Sequence, residues 1–174
     1  ALHGLRLSET SLGSKVVVIG LGIIGQLVCR LAEAQGSEVI GIDPDTKRTD
    51  LSANFYTSVE EANMTNVDSV IITAATSSNE PIEVATKIAR NKAKIVVVGD
   101  IPLNISRNDF YYKELELVVS KSYGPGRYDK QYEILGKDYP IEYVRWTENR
   151  NFEAFIKLLS QNQIHLLDLV TEEV

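Results

Sequence analysis

The stretch Lys15-Val16-Val17-Val18-Ile19-Gly20-Leu21-Gly22-Ile23-Ile24-Gly25 decides the fold of this 174-residue chain. An apolar, β-branched run passes directly into G-x-G-x-x-G, and a helical pattern follows without a break. In this context the first glycine turns the chain, the second lets a pyrophosphate approach the backbone, and the third lets helix and strand pack closely. The N–H groups that begin the helix then favour an anion. We therefore predict a dinucleotide-binding turn.

A second strand-like run, Glu38–Ile42, ends in Asp43. This acid follows Gly25 by 18 residues. A carboxylate at about this spacing accepts hydrogen bonds from the adenosine ribose hydroxyls. Such a carboxylate would repel a 2′-phosphate, so it favours NAD over NADP. Lys47 and Arg48 follow closely and could accommodate that phosphate instead. Asp43 could also simply cap the next short helix, as could Asp45, but we favour the ribose role.

Composition bounds the class of protein. The chain is 44% hydrophobic and 24% charged, which is typical of a soluble globular protein. Eighteen Lys and Arg against 24 Asp and Glu give a net charge of −6, which argues against a nucleic-acid partner. No apolar run is long enough to span a bilayer, and no signal-peptide pattern appears, so we predict a cytoplasmic protein without a membrane partner. A single cysteine excludes an internal disulfide and a cysteine-paired zinc site within the chain.

Hydrophobic periodicity predicts strands that alternate with helices along most of the chain. The predicted strands are 15–19, 38–42, 55–57, 67–73, 94–99 and 115–120. The predicted helices are 23–35, 45–53, 58–63, one beginning near residue 78 or 79, and 108–113. This order predicts an α/β fold, a single Rossmann domain with a doubly wound, six-stranded parallel sheet.

The two ends of the chain differ from this pattern. Residues 1–14 read as a helix tail and linker from a preceding domain that is missing here, and residues 15–174 as the nucleotide-binding domain. Within 121–174 we expect an aromatic loop, a helix over 149–160 and a final strand over 164–170. That strand could return to the missing domain, and its exposed partner surface would then favour a homodimer.

Together with the glycine turn, Asp43 and the six strands, the sequence contains the tract Lys113-Glu114-Leu115-Glu116-Leu117. In this combination the chain resembles the cofactor domain of the medium-chain dehydrogenase/reductase family, the zinc alcohol dehydrogenase-like proteins. The resemblance covers nearly the whole chain. Residues 122–129 (SYGPGRYD) and 143–148 (YVRWTE) are similar to a bacterial branch in which a glucose–fructose oxidoreductase-like half follows. The resemblance implies an NAD-dependent oxidoreductase acting on an alcohol or sugar-like small molecule. Any zinc would be bound by a separate, missing catalytic domain, so the isolated chain is expected to be inactive.

The resemblance also implies which residues bind the cofactor, all near the carboxyl ends of strands. It assigns the pyrophosphate to Gly20, Gly22, Ile23, Ile24 and Gly25. It assigns the adenosine half to Asp43, Arg48, Lys47, Thr73, Ala74 and Ala75, and the nicotinamide to Gly99 and Asp100. No catalytic or metal-binding residue is expected in this chain, and Cys29, His3 and His165 are expected to be structural.

The loop that contains Tyr123, Arg127, Tyr128 and Asp129 leaves two possibilities open. Its aromatic faces, cation and acceptor could hold a substrate, or the loop could turn the chain and pack on a neighbouring domain. An alternative function is a nucleotide-sensing Rossmann module of a transporter or channel regulator, but such modules are not expected to carry this loop. A methyltransferase would have a looser glycine turn and a reversed hairpin at the sheet edge.

Overall fold

Six parallel strands form one sheet in the computed structural model, which describes residues 1–52 and 54–169. The strand order is β3-β2-β1-β4-β5-β6, with every neighbouring pair parallel. The strands are β1 (Lys15–Ile19), β2 (Glu38–Ile42), β3 (Phe55–Tyr56), β4 (Val67–Ile72), β5 (Ala89–Val97) and β6 (Glu116–Val119). The predicted doubly wound Rossmann sheet is therefore confirmed.

Helices cover both faces of the sheet. They are α1 (Leu2–Leu7), α2 (Ile23–Ala34), α3 (Thr46–Thr49), α4 (Val59–Ala62), α5 (Glu80–Ile88), α6 (Arg107–Lys113), α7 (Lys130–Glu133) and α8 (Glu148–Ser160). Val16 and Val18 of β1 pack with α1, α2 and α8, whereas Val17 and Ile19 pack with α4 and α5. A strand buried on both faces has a continuous apolar run, and this run allowed β1 to be predicted from the sequence.

Helix α1 packs against the nucleotide-binding fold. Leu5 is buried in the same cluster as the apolar face of α2. Arg6 Nε donates to Asn151 Oδ1 of α8 at 2.8 Å. The boundary expected near residue 14 remains a prediction. No helix in the described ranges is both long and apolar enough to cross a membrane.

The fifth strand begins at Ala89, earlier than the predicted start at residue 94. Val67 pairs with Ala89 and Ser69 with Lys94, so the register shifts within the first part of the strand. Lys92 in this irregular part has a positive φ of 59°. Residues 90–92 are exposed and polar, so the apolar pattern in the sequence begins only at residue 94.

The predicted strand over 164–170 is wrong for the residues that the structure describes, and Val170 lies outside them. Ile164 is buried against the α2 side of the sheet, and Leu167–Leu169 form a 3₁₀ turn. Arg30 of α2 holds this segment by donating to the His165 carbonyl and pairing with Asp168, both at 2.5 Å. The segment is therefore held on the α2 side through Ile164 and Arg30 instead of extending the sheet, and Leu167 is left exposed. The homodimer remains a prediction, without the exposed strand that suggested it.

Lys113 connects α6 to the end of α5 through hydrogen bonds. Its Nζ donates to the carbonyls of Thr86, Lys87 and Ala89 at 2.7, 2.9 and 2.8 Å. The last carbonyls of a helix lack intrahelical partners and carry partial negative charge, so a lysine there is stabilising. We expect Lys113→Met to lower the free energy of unfolding by about 2 kcal/mol in urea denaturation.

Lys92→Met is the matched control for this variant, because its ammonium pairs with Glu114 at the surface. An exposed pair contributes little, so the control should change the free energy of unfolding by about 0.5 kcal/mol or less. Equal losses in the two variants would contradict the capping role of Lys113.

Candidate dinucleotide-binding site

A cleft of about 600 Å³ opens at the carboxyl edge of the sheet, beside the ends of β1, β2 and β4. The chain runs outward from β1 to β3 and then returns to place β4 on the other side of β1. Such a switch point is where open α/β sheets bind ligands. The predicted binding residues that line the cleft are Gly20, Gly22, Asp43, Arg48, Thr73, Ala74 and Ala75.

The three glycines of the turn have different surroundings. Gly20 has a backbone φ of 96°, which residues other than glycine rarely adopt. A Cβ there would lie 2.7 Å from Ala74 Cα. A Cβ on Gly25 would overlap the Gly20 carbonyl oxygen and lie 2.8 Å from Thr73 Oγ1. At Gly22, by contrast, a Cβ would meet nothing within 4 Å in the described structure. Gly20 and Gly25 thus form the turn itself, and Gly22 leaves open space above it.

That open space lies at the N-terminus of α2, a helix of 12 residues. In the described structure no side chain caps this end, and its first turn contains no acidic residue. The side chains of Ile23 and Ile24 are exposed and lie outside the cleft lining, so these two residues can contribute their backbone N–H groups. Uncapped N–H groups and the helix dipole together favour an anion such as a pyrophosphate.

Asp43 connects the end of β2 to the glycine turn. Its buried carboxylate accepts from Leu21 N at 2.7 Å, Asp45 N at 2.9 Å and Arg48 Nη1 at 3.1 Å. A carboxylate has about four acceptor positions, so about one is left for a ribose hydroxyl. The alternative role as helix cap belongs to Asp45, whose side chain accepts from Lys47 N at the start of α3.

The two basic residues after Asp43 differ in position. The Arg48 guanidinium lines the cleft and pairs with Asp43 at 3.1 Å and with Asp45 at 3.5 Å. Lys47 is exposed and is not among the residues that line the cleft. The structure therefore brings Arg48, and not Lys47, to the candidate site.

Thr73 has a structural contact that the sequence did not reveal. Its hydroxyl donates to the Gly20 carbonyl at 2.5 Å, and its amide donates to the Ile19 carbonyl at 2.8 Å. These bonds fasten the glycine turn to the end of β4. Thr73 therefore positions the turn in addition to lining the cleft.

Gly99 and Asp100 lie just after β5 and outside the cleft lining. A Cβ on Gly99 would overlap the Ala74 carbonyl oxygen, so this glycine permits a close approach of two strand ends. The Asp100 carbonyl accepts from Thr76 N at 3.0 Å. The predicted nicotinamide role of these two residues remains a prediction.

One wall of the cleft was not predicted from the sequence. The residues around α4 and the start of α5 contribute apolar surface from Val59, Pro81 and Val84 and polar surface from Thr57 and Ser58. Because β3 has two residues and α4 has four, neither element gave a strong periodic signal. The sheet topology could have identified this wall, because the loop that follows each parallel strand lies at this same edge.

The side chains of the aromatic loop contact one another and residues up to 149, and the Gly124 backbone lies against the His3 ring of α1. The Arg127 guanidinium lies over the rings of Tyr123 and Tyr128, 4.9 and 4.3 Å from their centroids, and pairs with Glu133 at 2.9 Å. Asp129 caps α7, a four-residue helix too short to show a helical period in the sequence. None of the four loop residues considered for substrate binding or for packing on a neighbouring domain lines the cleft.

Asp129 has a second partner in this segment. It accepts from the Tyr139 hydroxyl at 2.5 Å and from Gln131 N at 2.9 Å. These bonds hold the pKa of the Asp129 carboxyl below its ordinary value. The loop side chains are thus engaged with one another, which agrees better with packing than with substrate binding. A contact with a neighbouring domain remains a prediction.

Within residues 1–52 and 54–169, no cluster of three or more His, Cys, Asp or Glu could hold a metal ion. Cys29 is buried in the core, as predicted, and burial raises the pKa of its thiol. A protonated thiol in an apolar core is not a nucleophile.

The chain is similar in sequence to known dehydrogenases. The family model for the D-isomer specific 2-hydroxyacid dehydrogenase, NAD binding domain, matches residues 4–110. A 2-dehydro-3-deoxy-L-galactonate 5-dehydrogenase from Pseudoalteromonas atlantica is 29% identical over 78% of this chain. This chain spans 43% of that protein's length.

Two solved structures show similar folds. A zinc-binding dehydrogenase from Sinorhizobium meliloti 1021, bound to NADP, is 27% identical with a TM-score of 0.60, over 68% of this chain and 40% of its own. Galactitol-1-phosphate dehydrogenase from Escherichia coli is 21% identical with a TM-score of 0.70, over 97% of this chain and 48% of its own.

The resemblance seen in the sequence is confirmed at the level of a dehydrogenase cofactor domain. The glycine turn, Asp43 and most of the sheet fall within residues 4–110, which are more than half of the chain. This chain therefore belongs to the D-isomer specific 2-hydroxyacid dehydrogenase NAD-binding domain family.

Proposed function

We propose that this chain binds NAD in the cleft and is the cofactor-binding part of a zinc alcohol dehydrogenase-like oxidoreductase that acts on a sugar or sugar-derived alcohol. The observation that carries the proposal is the open space at Gly22, next to the uncapped N-terminus of α2 and to Asp43. A side chain at Gly22 would fill the space that a phosphate group needs.

The residues present fit a dinucleotide. The first-turn amides of α2 would hold the pyrophosphate, and Asp43 would accept from a ribose hydroxyl. Arg48 on one side and the wall that contains Val59 and Pro81 on the other would enclose the adenosine end. The bound nicotinamide supplies the hydride chemistry, and the chain's own contribution is to bind and orient it.

We expect NAD(H) to bind at least about tenfold more tightly than NADP(H). A 2′-phosphate on the ribose would meet the buried Asp43 carboxylate, and that repulsion is weakly screened because the group is shielded from solvent. Calorimetric titration of the chain with NADH and NADPH measures the ratio. Equal affinities, or tighter NADPH binding, would remove Asp43 from the role of discriminating residue.

Two enzyme classes are candidates for the activity of the complete protein. The family model favours a 2-hydroxyacid dehydrogenase, but its match ends at residue 110, before β6 and α8. The Sinorhizobium meliloti structure, 27% identical to this chain, is by its name a zinc-binding dehydrogenase, and the Pseudoalteromonas relative acts on a sugar acid by its name. These two observations support the zinc alcohol dehydrogenase-like class and a polyhydroxylated substrate.

The complete protein that contains this chain can decide between the classes. The proposal expects NAD reduction with sugar alcohols or sugar acids, lost on treatment with a chelator because zinc would be bound outside the described residues. NAD reduction with D-2-hydroxy acids that survives the chelator would favour the 2-hydroxyacid dehydrogenase instead. The glucose–fructose oxidoreductase-like half and the cytoplasmic location remain predictions from the sequence.

A further inference from the structure

We propose that Asp45 is a specificity-determining residue, which favours NAD over NADP by holding the Arg48 guanidinium in an ion pair. This inference rests on the proposed dinucleotide site and extends it to a residue that the fingerprint does not include. Asp43 discriminates directly, by its own charge. Asp45 would act through Arg48, the cation that a 2′-phosphate would otherwise recruit.

Arg48 is placed to matter for such a phosphate. It is the one Lys or Arg among the cleft-lining residues of the described structure, and its side chain is 48% exposed. Its Nη1 pairs with the buried Asp43 at 3.1 Å and its Nε with Asp45 at 3.5 Å. The guanidinium thus lies between two carboxylates, and the three groups together carry one net negative charge.

The two carboxylates differ in what else they hold. Asp43 accepts from Leu21 N and Asp45 N, so its removal would disturb the glycine turn itself. Apart from Arg48, the Asp45 carboxylate has one hydrogen-bond partner in the described structure, Lys47 N, whose capping bond is 3.1 Å long. An asparagine can keep that cap, because its carbonyl oxygen accepts equally well at an N-cap. Asp45→Asn therefore removes the charge and keeps the local structure.

With Asp45 neutral, the cluster carries no net charge and Arg48 keeps one carboxylate partner. A phosphate beside it can then gain a charge-assisted hydrogen bond from the guanidinium. We expect Asp45→Asn to bind NADPH about tenfold more tightly than the parent chain, the effect of one such bond. NADH, which lacks that phosphate, should change by about twofold or less.

Three variants make the measurement specific. Asp50→Asn removes the same formal charge at the other end of α3, so it controls for bulk electrostatics and should leave the NADPH/NADH affinity ratio unchanged. Asp45→Asn combined with Arg48→Ala should lose the NADPH gain. Asp45→Ser, which also retains a cap, should reproduce the gain and guards against an effect peculiar to asparagine.

Calorimetric titration of each variant with NADH and NADPH gives the result. A ratio that is unchanged in Asp45→Asn and Asp45→Ser, while NADH still binds, overturns the role of Asp45 and leaves the proposed cofactor site intact. A gain that persists in the Arg48→Ala background also overturns it, because the effect would not pass through Arg48. A parent chain that binds neither nucleotide refutes the proposed function and this inference with it.

Discussion

Replacing Gly22 by valine is expected to abolish NADH binding, with a loss of about a hundredfold or more, while the chain still unfolds in one cooperative transition. The Cβ of a new side chain would meet nothing within 4 Å, so the core and the turn are undisturbed. Gly22 has φ of −65°, which any residue adopts. The isopropyl group would, however, occupy the space of the pyrophosphate and separate it from the α2 amides. Losing two charge-assisted hydrogen bonds accounts for the expected size of the effect.

Fluorescence titration with NADH and urea denaturation of the same preparation separate binding from folding in this variant. Gly22→Ala is the graded control, since one methyl group intrudes less and should weaken binding by a smaller factor. Unchanged NADH affinity in Gly22→Val would show that the phosphate lies elsewhere. Loss of the unfolding transition would show that the glycine is structural.

Gly25→Val, three residues along the same helix, is expected to act on stability instead. Its Cβ would overlap the Gly20 carbonyl oxygen and lie 2.8 Å from Thr73 Oγ1, at the point where α2 meets the turn. The helix must shift away from the sheet or the turn must open. Overpacking of this kind costs about 3 kcal/mol, so we expect that loss in the free energy of unfolding.

Urea denaturation of Gly25→Val measures this loss directly. Gly22→Val is its matched control, because it introduces the same side chain at the N-cap of the same helix. Near-parental stability in Gly25→Val would mean that helix and turn separate easily. The close packing assigned to the third glycine would then be incorrect.

The sheet was predictable because its determinants are local. The β-branched run of β1 and the glycines after it specify a strand, a turn and a helix without help from distant residues. Parallel strands buried on both faces then repeat the same signal in β2, β4 and the second half of β5. The position of the cleft followed from topology, since the carboxyl ends of these strands meet at one edge.

The remaining features depend on contacts between residues that are far apart in the sequence. Residues 164–169 have the composition of a strand, but Arg30 of α2 binds the His165 carbonyl and Asp168 and holds them against a helix. The ion pair of Arg48 with Asp45 and the hydrogen bond from Thr73 to Gly20 likewise depend on where the side chains lie in the folded chain. A periodic pattern reports which face of an element is buried, and it contains no information about such partners.

A crystal structure of the chain grown with NAD tests the central claim most directly. The account predicts a pyrophosphate above Gly22 within hydrogen-bond distance of the first backbone amides of α2, and an adenosine ribose hydroxyl on the Asp43 carboxylate. A nucleotide bound elsewhere on the chain, or a cleft that stays empty at a saturating NAD concentration, would contradict it.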